Sequence, residues 1–526
     1  MRSTACCCLW FAVLAFAAGT TTISFEDAAP NAGIRFVLQN KPTPQKQLPE
    51  TMAGGLAAFD FNNDGRTDLF LTGGAGAPAL YRNDGQFRFT DVTSEAGFGR
   101  TGYSIGAAAA DFDNDGLVDL FVAGVRECHL YRNMGGGKFE DVSRAAGIAC
   151  PEWAVAAAWL DYDRDGLLDL FIVNYLDYPA ANPPVCHDPS GRYTVYCNPR
   201  QFKGSANRLF RNYGGGRFED VSMASGIARV TGKGMSVGVA DYDRDGWPDL
   251  YVTNDTEPNF LFHNLRNGRF EEVALDAGAA LPDDGKPVSA MGVDFRDYDN
   301  DGLPDLVYTA LTGETFPLFR NTGDGHLRDQ TYASRLGRLT ARLAGWGVGL
   351  VDLDNDGWKD LFTANAHVSD NIDLFSGDRY QLPNSVFSNR HGVFGPAIEF
   401  GPPRAHRGAV VTDLDGDGRP DIVVAVLGER PEVWRNTAAD LNHWIDIRLA
   451  GSKGNRDGIG AVIYIGQQWN HETSATGYAS SVLAPVHFGL GAQTTIPLID
   501  IEWPSGKQQE LRNVKPDRVL TVREPN

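Results

Sequence analysis

Basic charge is in short supply in this chain of 526 residues: 47 Lys and Arg stand against 67 Asp and Glu, a net charge of −20, and nowhere do the basic residues gather. A phosphate backbone needs a basic patch or stripe, so nucleic acid is excluded as a partner. Long hydrophobic runs are equally scarce. Only residues 6–18 are continuously apolar, and they follow Arg2 and end in Ala15-Phe16-Ala17. That run is shorter than the ~20 residues that cross a bilayer, so the pattern predicts a cleavable secretory signal at 1–18 and no stable membrane insertion. Cysteine is rare as well. Cys6, Cys7 and Cys8 would leave with the signal, and Cys128, Cys150, Cys186 and Cys197 remain. An even number suits an oxidising, extracellular or periplasmic destination. Of the three possible pairings, proximity favours Cys128–Cys150 and Cys186–Cys197. No recognisable catalytic motif is present.

What the chain has in excess is one loop, Asp-x-Asp/Asn-x-Asp-Gly-x-x-Asp, written seven times. Its first, third, fifth and ninth positions are Asp60, Asn62, Asp64 and Asp68; Asp111, Asp113, Asp115 and Asp119; Asp161, Asp163, Asp165 and Asp169; Asp241, Asp243, Asp245 and Asp249; Asp297, Asp299, Asp301 and Asp305; Asp352, Asp354, Asp356 and Asp360; and Asp413, Asp415, Asp417 and Asp421. Oxygen donors at these positions, with Gly at the sixth, follow the first nine positions of an EF-hand loop. Hard oxygen ligands predict Ca²⁺ at about seven sites, and without a cation the clustered carboxylates would repel one another. With dissociation constants of ~0.1 mM in about 1 mM calcium, linkage would contribute roughly 1.4 kcal/mol per site.

The loops recur at spacings of 51, 50, 80, 56, 55 and 61 residues, a period that fits a four-stranded propeller blade. Each unit runs in the same order. A small-residue stretch such as 105–110 enters the loop, and an apolar exit such as Asp119-Leu120-Phe121-Val122 leaves it. An aromatic-Arg-Asn element follows, as in Tyr131-Arg132-Asn133, and then a Gly-rich turn into Phe139-Glu140-Asp141-Val142. The seventh unit stops at Trp434-Arg435-Asn436 without its Phe-Glu-Asp strand, while Phe25-Glu26-Asp27 precedes the first loop. The prediction is that this segment returns to complete blade 7 and removes its open edge. Unit 3 carries an insertion over 175–202, rich in Pro, read as a stapled loop or a ligand-covering lid on one face. After the repeats, alternating runs at 444–449, 461–465, 498–503 and 518–522 predict a small C-terminal β-sandwich.

These loops resemble the FG-GAP/VCBS repeats of seven-bladed propellers. Asn455-Arg456-Asp457-Gly458, Gly460-Ala461, Gly477-Tyr478, His487-Phe488-Gly489-Leu490-Gly491 and Glu502-Trp503-Pro504-Ser505-Gly506 resemble the ASPIC/UnbV domain. A propeller of that kind followed by that domain is the arrangement of the cartilage acidic protein family. The expected fold is therefore all-β: a seven-bladed propeller with calcium loops over 22–437 and the smaller domain over 441–524. Such a fold does not dictate a chemistry.

Two functions compete. A secreted binding or adhesion module would hold an extracellular glycan or protein. A calcium-stabilised enzyme, a lyase, dehydratase or isomerase, would process a sugar or secondary metabolite in the mouth of the ring. The missing catalytic motif favours binding. Ligand contacts in either case are sought at strand ends, namely Lys233, Asn254, Asp255, Trp346, His367 and Arg407, with Glu152, Trp153, Asn174, Tyr175, Asn365 and His406 beside them. Asn455, Arg456 and Asp457 form either a small polar site or a tight turn.

Overall fold

The computed structural model describes residues 22–439 and 442–526, so the expected signal at 1–18 and the domain junction at 441 lie outside the described residues. Seven antiparallel sheets surround one axis, and the strand order within each blade is that of the sequence repeat. Blade 2 is representative, pairing Ser104–Ala110, Asp119–Gly124, Glu127–Asn133 and Phe139–Asp141 in that order from the axis outward. The carboxylate loop joins the first two strands. Small residues fill the inner strands because seven backbones converge there: a Cβ on Gly106 would lie 2.2 Å from Val155 O. Larger side chains fill the wedges between blades, where Phe70, Leu120, Tyr131 and Phe139 pack together in one buried cluster.

The ring closes as expected. Phe25–Asp27 is the outer strand of blade 7, in register Phe25↔Asn436, Glu26↔Arg435 and Asp27↔Trp434. Ala28 N extends the pairing to Val433 O at 2.9 Å, and Phe25 stacks on Phe400 with centroids 4.4 Å apart. Both favoured disulfides are formed, Cys128–Cys150 and Cys186–Cys197.

The C-terminal domain is two packed sheets. His443–Ala450 pairs with Val486–Gly491 and Arg518–Arg523; Val462–Ile465 pairs with Gln468–His471 and Ile496–Glu502, which pairs with Gln508–Val514. Ile445, Ile447, Ile463, Phe488, Ile499 and Ile501 form their common core. This sandwich sits on the carboxylate-loop face of the ring. Arg448 Nη2 reaches Gly65 O at 3.0 Å, Asp111 N reaches Asp457 Oδ2 at 2.6 Å, and Arg164 Nη2 reaches Pro504 O at 3.0 Å. Farther round, Lys359 Nζ reaches Trp469 O at 3.0 Å and His487 Nε2 meets Asn355 Oδ1 at 2.8 Å.

One feature departs from an appended domain. Residues 473–483 leave the sandwich and run down the axis of the ring as a finger. Ser481–Leu483 pairs in parallel with Leu56–Phe59 and makes blade 1 a five-stranded sheet. The physical reason lies in the inner strands of blades 1, 2, 3 and 5, which turn N–H groups toward the axis that need acceptors there. Ser474 Oγ accepts from Trp159 N at 2.9 Å, Ala479 O from Ala107 N at 3.1 Å, Ser480 Oγ from Leu56 N at 3.2 Å and Gly477 O from Val293 N at 3.2 Å. Ser474-Ala475-Thr476-Gly477 meets blades 3 and 5, and Ala479-Ser480 meets blades 2 and 1, so small and polar residues of one finger satisfy four blades at once.

Candidate metal centres and the axial site

Each carboxylate loop is built around its first aspartate. Asp111 Oδ1 accepts Asp115 N–H at 3.0 Å and Oδ2 accepts Gly116 N–H at 2.7 Å. Asp60, Asp161, Asp241, Asp297 and Asp352 repeat that pair. The turn sets the sixth residue at φ near +90°, as at Gly116 and Gly166 (φ 90° and 89°), which only glycine adopts without strain. Asp413 differs by accepting from Gly416 N at 2.8 Å as well as Gly418 N at 2.7 Å, because its fourth position is itself glycine.

The ninth aspartate is buried and binds backbone, joined at Asp249 by the His263 ring 3.3 Å away. Asp169 Oδ2 accepts Tyr162 N–H at 3.2 Å and Oδ1 accepts Asn212 N–H at 2.7 Å. Asn212 belongs to the aromatic-Arg-Asn element, and its amide explains why that element recurs. Its Nδ2 donates to Leu168 O in its own blade at 2.9 Å and to Phe112 O in the preceding blade at 2.8 Å. Asn83, Asn133, Asn264, Asn321, Asn389 and Asn436 make the same two bonds, Asn83 reaching back to Leu414 of blade 7. Seven asparagines thus tie every blade to its neighbour. The repeat made these residues visible, but sequence spacing alone gave them no partner.

The arginine of the same element faces the outside of the loop. Arg320 Nε lies 2.6 Å from Asp299 Oδ2 and Nη2 lies 2.8 Å from Asp301 Oδ2; Arg132, Arg211 and Arg435 bind their third and fifth aspartates likewise. The other oxygen, Oδ1 of Asp163, Asp299 and Asp415, is buried and has no partner. In the Asp297 loop all four carboxylates offer oxygens within 4.8 Å of one another, as do Asp111, Asp113 and Asp115, and Asp161, Asp163 and Asp169. Burial pushes Asp119 up to about 9 and Asp68, Asp111, Asp161 and Asp241 to about 7, with neighbouring loop carboxylates adding to each rise. Inward-facing, unpartnered oxygens and disfavoured negative charge are what a hard divalent cation would relieve, so the donor set fits Ca²⁺.

At the far end of the axis the expected ligand residues fall into two groups, Trp346 with Arg407, and Trp153, Tyr175 and Asp255 with Lys233, whose O accepts from Asp255 N at 2.9 Å. Strand starts and exits share this face, since Gly234 pairs with Asn254 and Gly345 with Asn365. Trp346 and Arg407 do come together, the guanidinium 4.0 Å from the indole centroid. Arg407 is fully buried; its Nε donates to Thr51 O and Nη1 to His406 O, both at 2.7 Å, and Nη2 has no partner. Tyr478, at the tip of the finger, packs against Trp346 with ring centroids 4.8 Å apart and donates to Met52 O at 2.8 Å. The other side chains each have a local partner. Asp255 accepts from Tyr175 Oη at 2.6 Å, burial raising its carboxyl to about 6. Lys233 pairs with Glu257, and His367 Nδ1 accepts from Ser369 N at 3.0 Å, its pKa lowered by burial. Asn254 and Asn365 clamp turns through Pro258 O and Pro383 O, as Asn174 does through Ala206 O. Glu152 pairs with Arg208, and Trp153 packs edge-on against Tyr175. In the sandwich, Asn455 closes a turn onto Ile459, while Arg456 and Asp457 contact the blade 2 loop.

Three loops cover this end. The blade 3 insertion contains the hairpin of Cys186–His187 and Thr194–Val195, and Asn371 Nδ2 donates to Thr194 O at 2.9 Å. Lys46 Nζ lies 2.6 Å from Asp370 Oδ1 and 5.5 Å above the Tyr196 ring. Tyr196 Oη meets Glu50 Oε2 at 3.3 Å. The insertion is therefore a cover over the axis.

Four-stranded blades with carboxylate loops, joined by asparagine clamps and closed by an early strand, define a seven-bladed repeat propeller. The FG-GAP-like repeat matches residues 60–122, 111–172, 194–252, 241–308 and 297–363, and the domain described as ASPIC and UnbV matches 451–526. The chain belongs to the family in which FG-GAP repeats are combined with an ASPIC/UnbV domain. It is 28% identical to cartilage acidic protein 1 of Mus musculus over 315 residues, covering 58% of this chain and 47% of that protein. The Homo sapiens protein gives 28% over 314 residues (58% and 46%), and that of Xenopus tropicalis 24% over 301 residues (55% and 44%). The chain thus spans about half the length of the curated relatives it matches. Among solved structures, an Agrocybe aegerita lectin described as recognising non-reducing terminal N-acetylglucosamine is 17% identical with a TM-score of 0.39, covering 66% of this chain and 80% of its own. BBS1N in complex with ARL6DN is 10% identical with a TM-score of 0.41, covering 78% and 96%.

Proposed function

We propose that this protein is a secreted, calcium-stabilised binding module that holds an extracellular glycan or protein on the face opposite its carboxylate loops. The observation that carries this reading is the filled axis. Residues 473–483 occupy the channel where a propeller enzyme would hold its substrate, and Tyr478 meets Trp346 at its far end. The acid–base candidates hold local partners rather than a common point: Asp255 and Lys233 are neighbours in the backbone, Asp255 N donating to Lys233 O at 2.9 Å, but their side chains turn to Tyr175 and Glu257, and His367 accepts from Ser369.

Calcium is supported by the all-oxygen donor set and its unpartnered inward oxygens. An extracellular setting is supported by two disulfides, and no helix among the described residues is long and apolar enough to cross a membrane. The cover built from residues 39–52, 175–203 and 366–381 gives the ring a braced surface on the side that the sandwich leaves free.

Arrays of glycans and extracellular matrix proteins, probed with calcium-loaded and chelated protein, test the reading. Capture that requires calcium and weakens when Lys46→Ala and Asp370→Ala loosen the cover is expected. Absence of capture would defeat it, and calcium-dependent conversion of a metabolite seen by mass spectrometry would replace it with the enzyme.

A further inference from the structure

Where the finger leaves the sandwich it is surrounded by cavities between the two domains, and Glu472 stands on the wall of three of them. Its backbone is fixed on both sides: Glu472 N donates to Ala461 O and Gly460 N donates to Glu472 O, both at 2.9 Å. The side chain is 5% exposed, yet its carboxylate makes no hydrogen bond or ion pair among the described residues. Of its charged neighbours, Asp457 opposes its ionisation and Arg296 favours it. Arg296 is already committed, with Nη1 2.8 Å from His471 Nε2 and Nε 3.9 Å from Asp294 Oδ1.

The cavity of about 250 Å³ beside Glu472 has an unusual lining. Three indoles, Trp247, Trp469 and Trp503, line it together with Glu502 and with Asp161 and Asp241, the first aspartates of the blade 3 and blade 4 loops. Its two basic wall residues are turned toward backbone carbonyls, Arg164 onto Pro504 O and Lys507 onto Pro525 O. Arg164 also lies 5.3 Å over the Trp247 ring, so that indole face already accepts a cation. A buried carboxylate without a partner is strongly disfavoured, and a cation is the partner that restores it. Indole faces attract an ammonium most where water is excluded. The metal that Asp161 and Asp241 would hold belongs to their own loops and has no use for three indoles, and the volume lies below that of ordinary drug-sized sites. We propose that this cavity binds a small organic ammonium ion, with Glu472 as counter-charge and Trp247, Trp469 and Trp503 as its cage.

The site is separate from the covered surface assigned above, and its test reads a different ligand. Choline and its neutral isostere 3,3-dimethyl-1-butanol are titrated into calcium-loaded full-length protein by calorimetry and tryptophan fluorescence. Choline is expected to bind and alter the fluorescence, with the isostere at least about tenfold weaker. Glu472→Gln, which keeps the volume, should lower choline affinity by at least about tenfold while the melting midpoint holds or rises. Equal binding of the two probes, no response to choline up to about 10 mM, or wild-type affinity in Glu472→Gln would each overturn the proposal. If Glu472→Gln fails to fold, the comparison of probes on the wild-type protein decides alone.

Discussion

Replacing Asn212 by Ala removes one of the seven clamps and leaves every carboxylate loop intact. Three bonds disappear: Nδ2 to Phe112 O at 2.8 Å, Nδ2 to Leu168 O at 2.9 Å, and Oδ1 from Gly214 N at 2.9 Å. A hydrogen bond contributes a net ~1 kcal/mol, and a buried carbonyl left unmet adds to the loss, so the expected destabilisation is about 3 kcal/mol. For 150–250 residues about 1 kcal/mol moves the midpoint by roughly 2–4 °C, and a larger ring moves less, which places the drop at about 3–6 °C. The assay is differential scanning calorimetry in calcium, with the exposed Asn31→Ala as the reference, expected within about 0.5 kcal/mol of wild type. Asn212→Asp adds a second arm. It keeps the acceptor for Gly214 but turns a carboxylate toward two carbonyls, so it should be at least as damaging as Ala. Should both variants melt with Asn31→Ala, the blades are not held by these amides and the clamp reasoning fails.

Removing residues 22–28 strips the outer strand from blade 7 and bares Glu432–Asn436 as an edge; a lower melting midpoint and concentration-dependent light scattering should follow, and an unchanged melt would contradict the closure. Expressed without residues 442–526, the ring loses the acceptors for Leu56, Ala107, Trp159 and Val293 N–H groups, so faster amide exchange along the inner strands is expected; wild-type protection would show that the finger is dispensable. Chelation with EGTA should lower the midpoint, and its pH dependence has a definite sign. Asp68, Asp111 and Asp119 have folded-state pKa values of about 7, 7 and 9, above the usual carboxylate value. The metal-free ring therefore keeps its full share of stability from them below about pH 4 and loses it as pH rises from there to about 7 for Asp68 and Asp111 and to about 9 for Asp119. In chelator the midpoint should fall across that window while the increment from added calcium grows. A midpoint in chelator that rises over the same range would count against the burial of these groups.

Much of the ring was written locally. Loop spacing, the aromatic-Arg-Asn element and the transplanted Phe25-Glu26-Asp27 strand each repeat a pattern whose neighbours in space are also regular in sequence, and both disulfides join cysteines close in the chain. The axial residues were harder to read. Trp346 and Arg407 meet, as do Asp255, Lys233 and Tyr175, but His367 stands apart, and the side-chain partners Glu257 and Ser369 carry no signal in the sequence. The finger was illegible for a different reason. Its small polar residues show no period, and the groups it satisfies are backbone N–H groups of strands hundreds of residues earlier. Glu472 was hidden likewise, since only the closing of two domains over it makes an ordinary glutamate a buried one.

The distribution of these contacts along the chain has a bearing on synthesis. Blade 7 needs Phe25–Asp27, and the axis needs Tyr478, which meets Met52 and Trp346, both made long before it. Domains ordinarily take shape from the N-terminus while the rest of the chain is still emerging. Here the earliest strand has nothing to pair with until blade 7 exists, and the inner N–H groups wait longer still for residues 473–483. Blades can form one after another, but the closed ring is a late event, and a chain interrupted before residue 478 is left with an unfilled bore for chaperones and proteases to find.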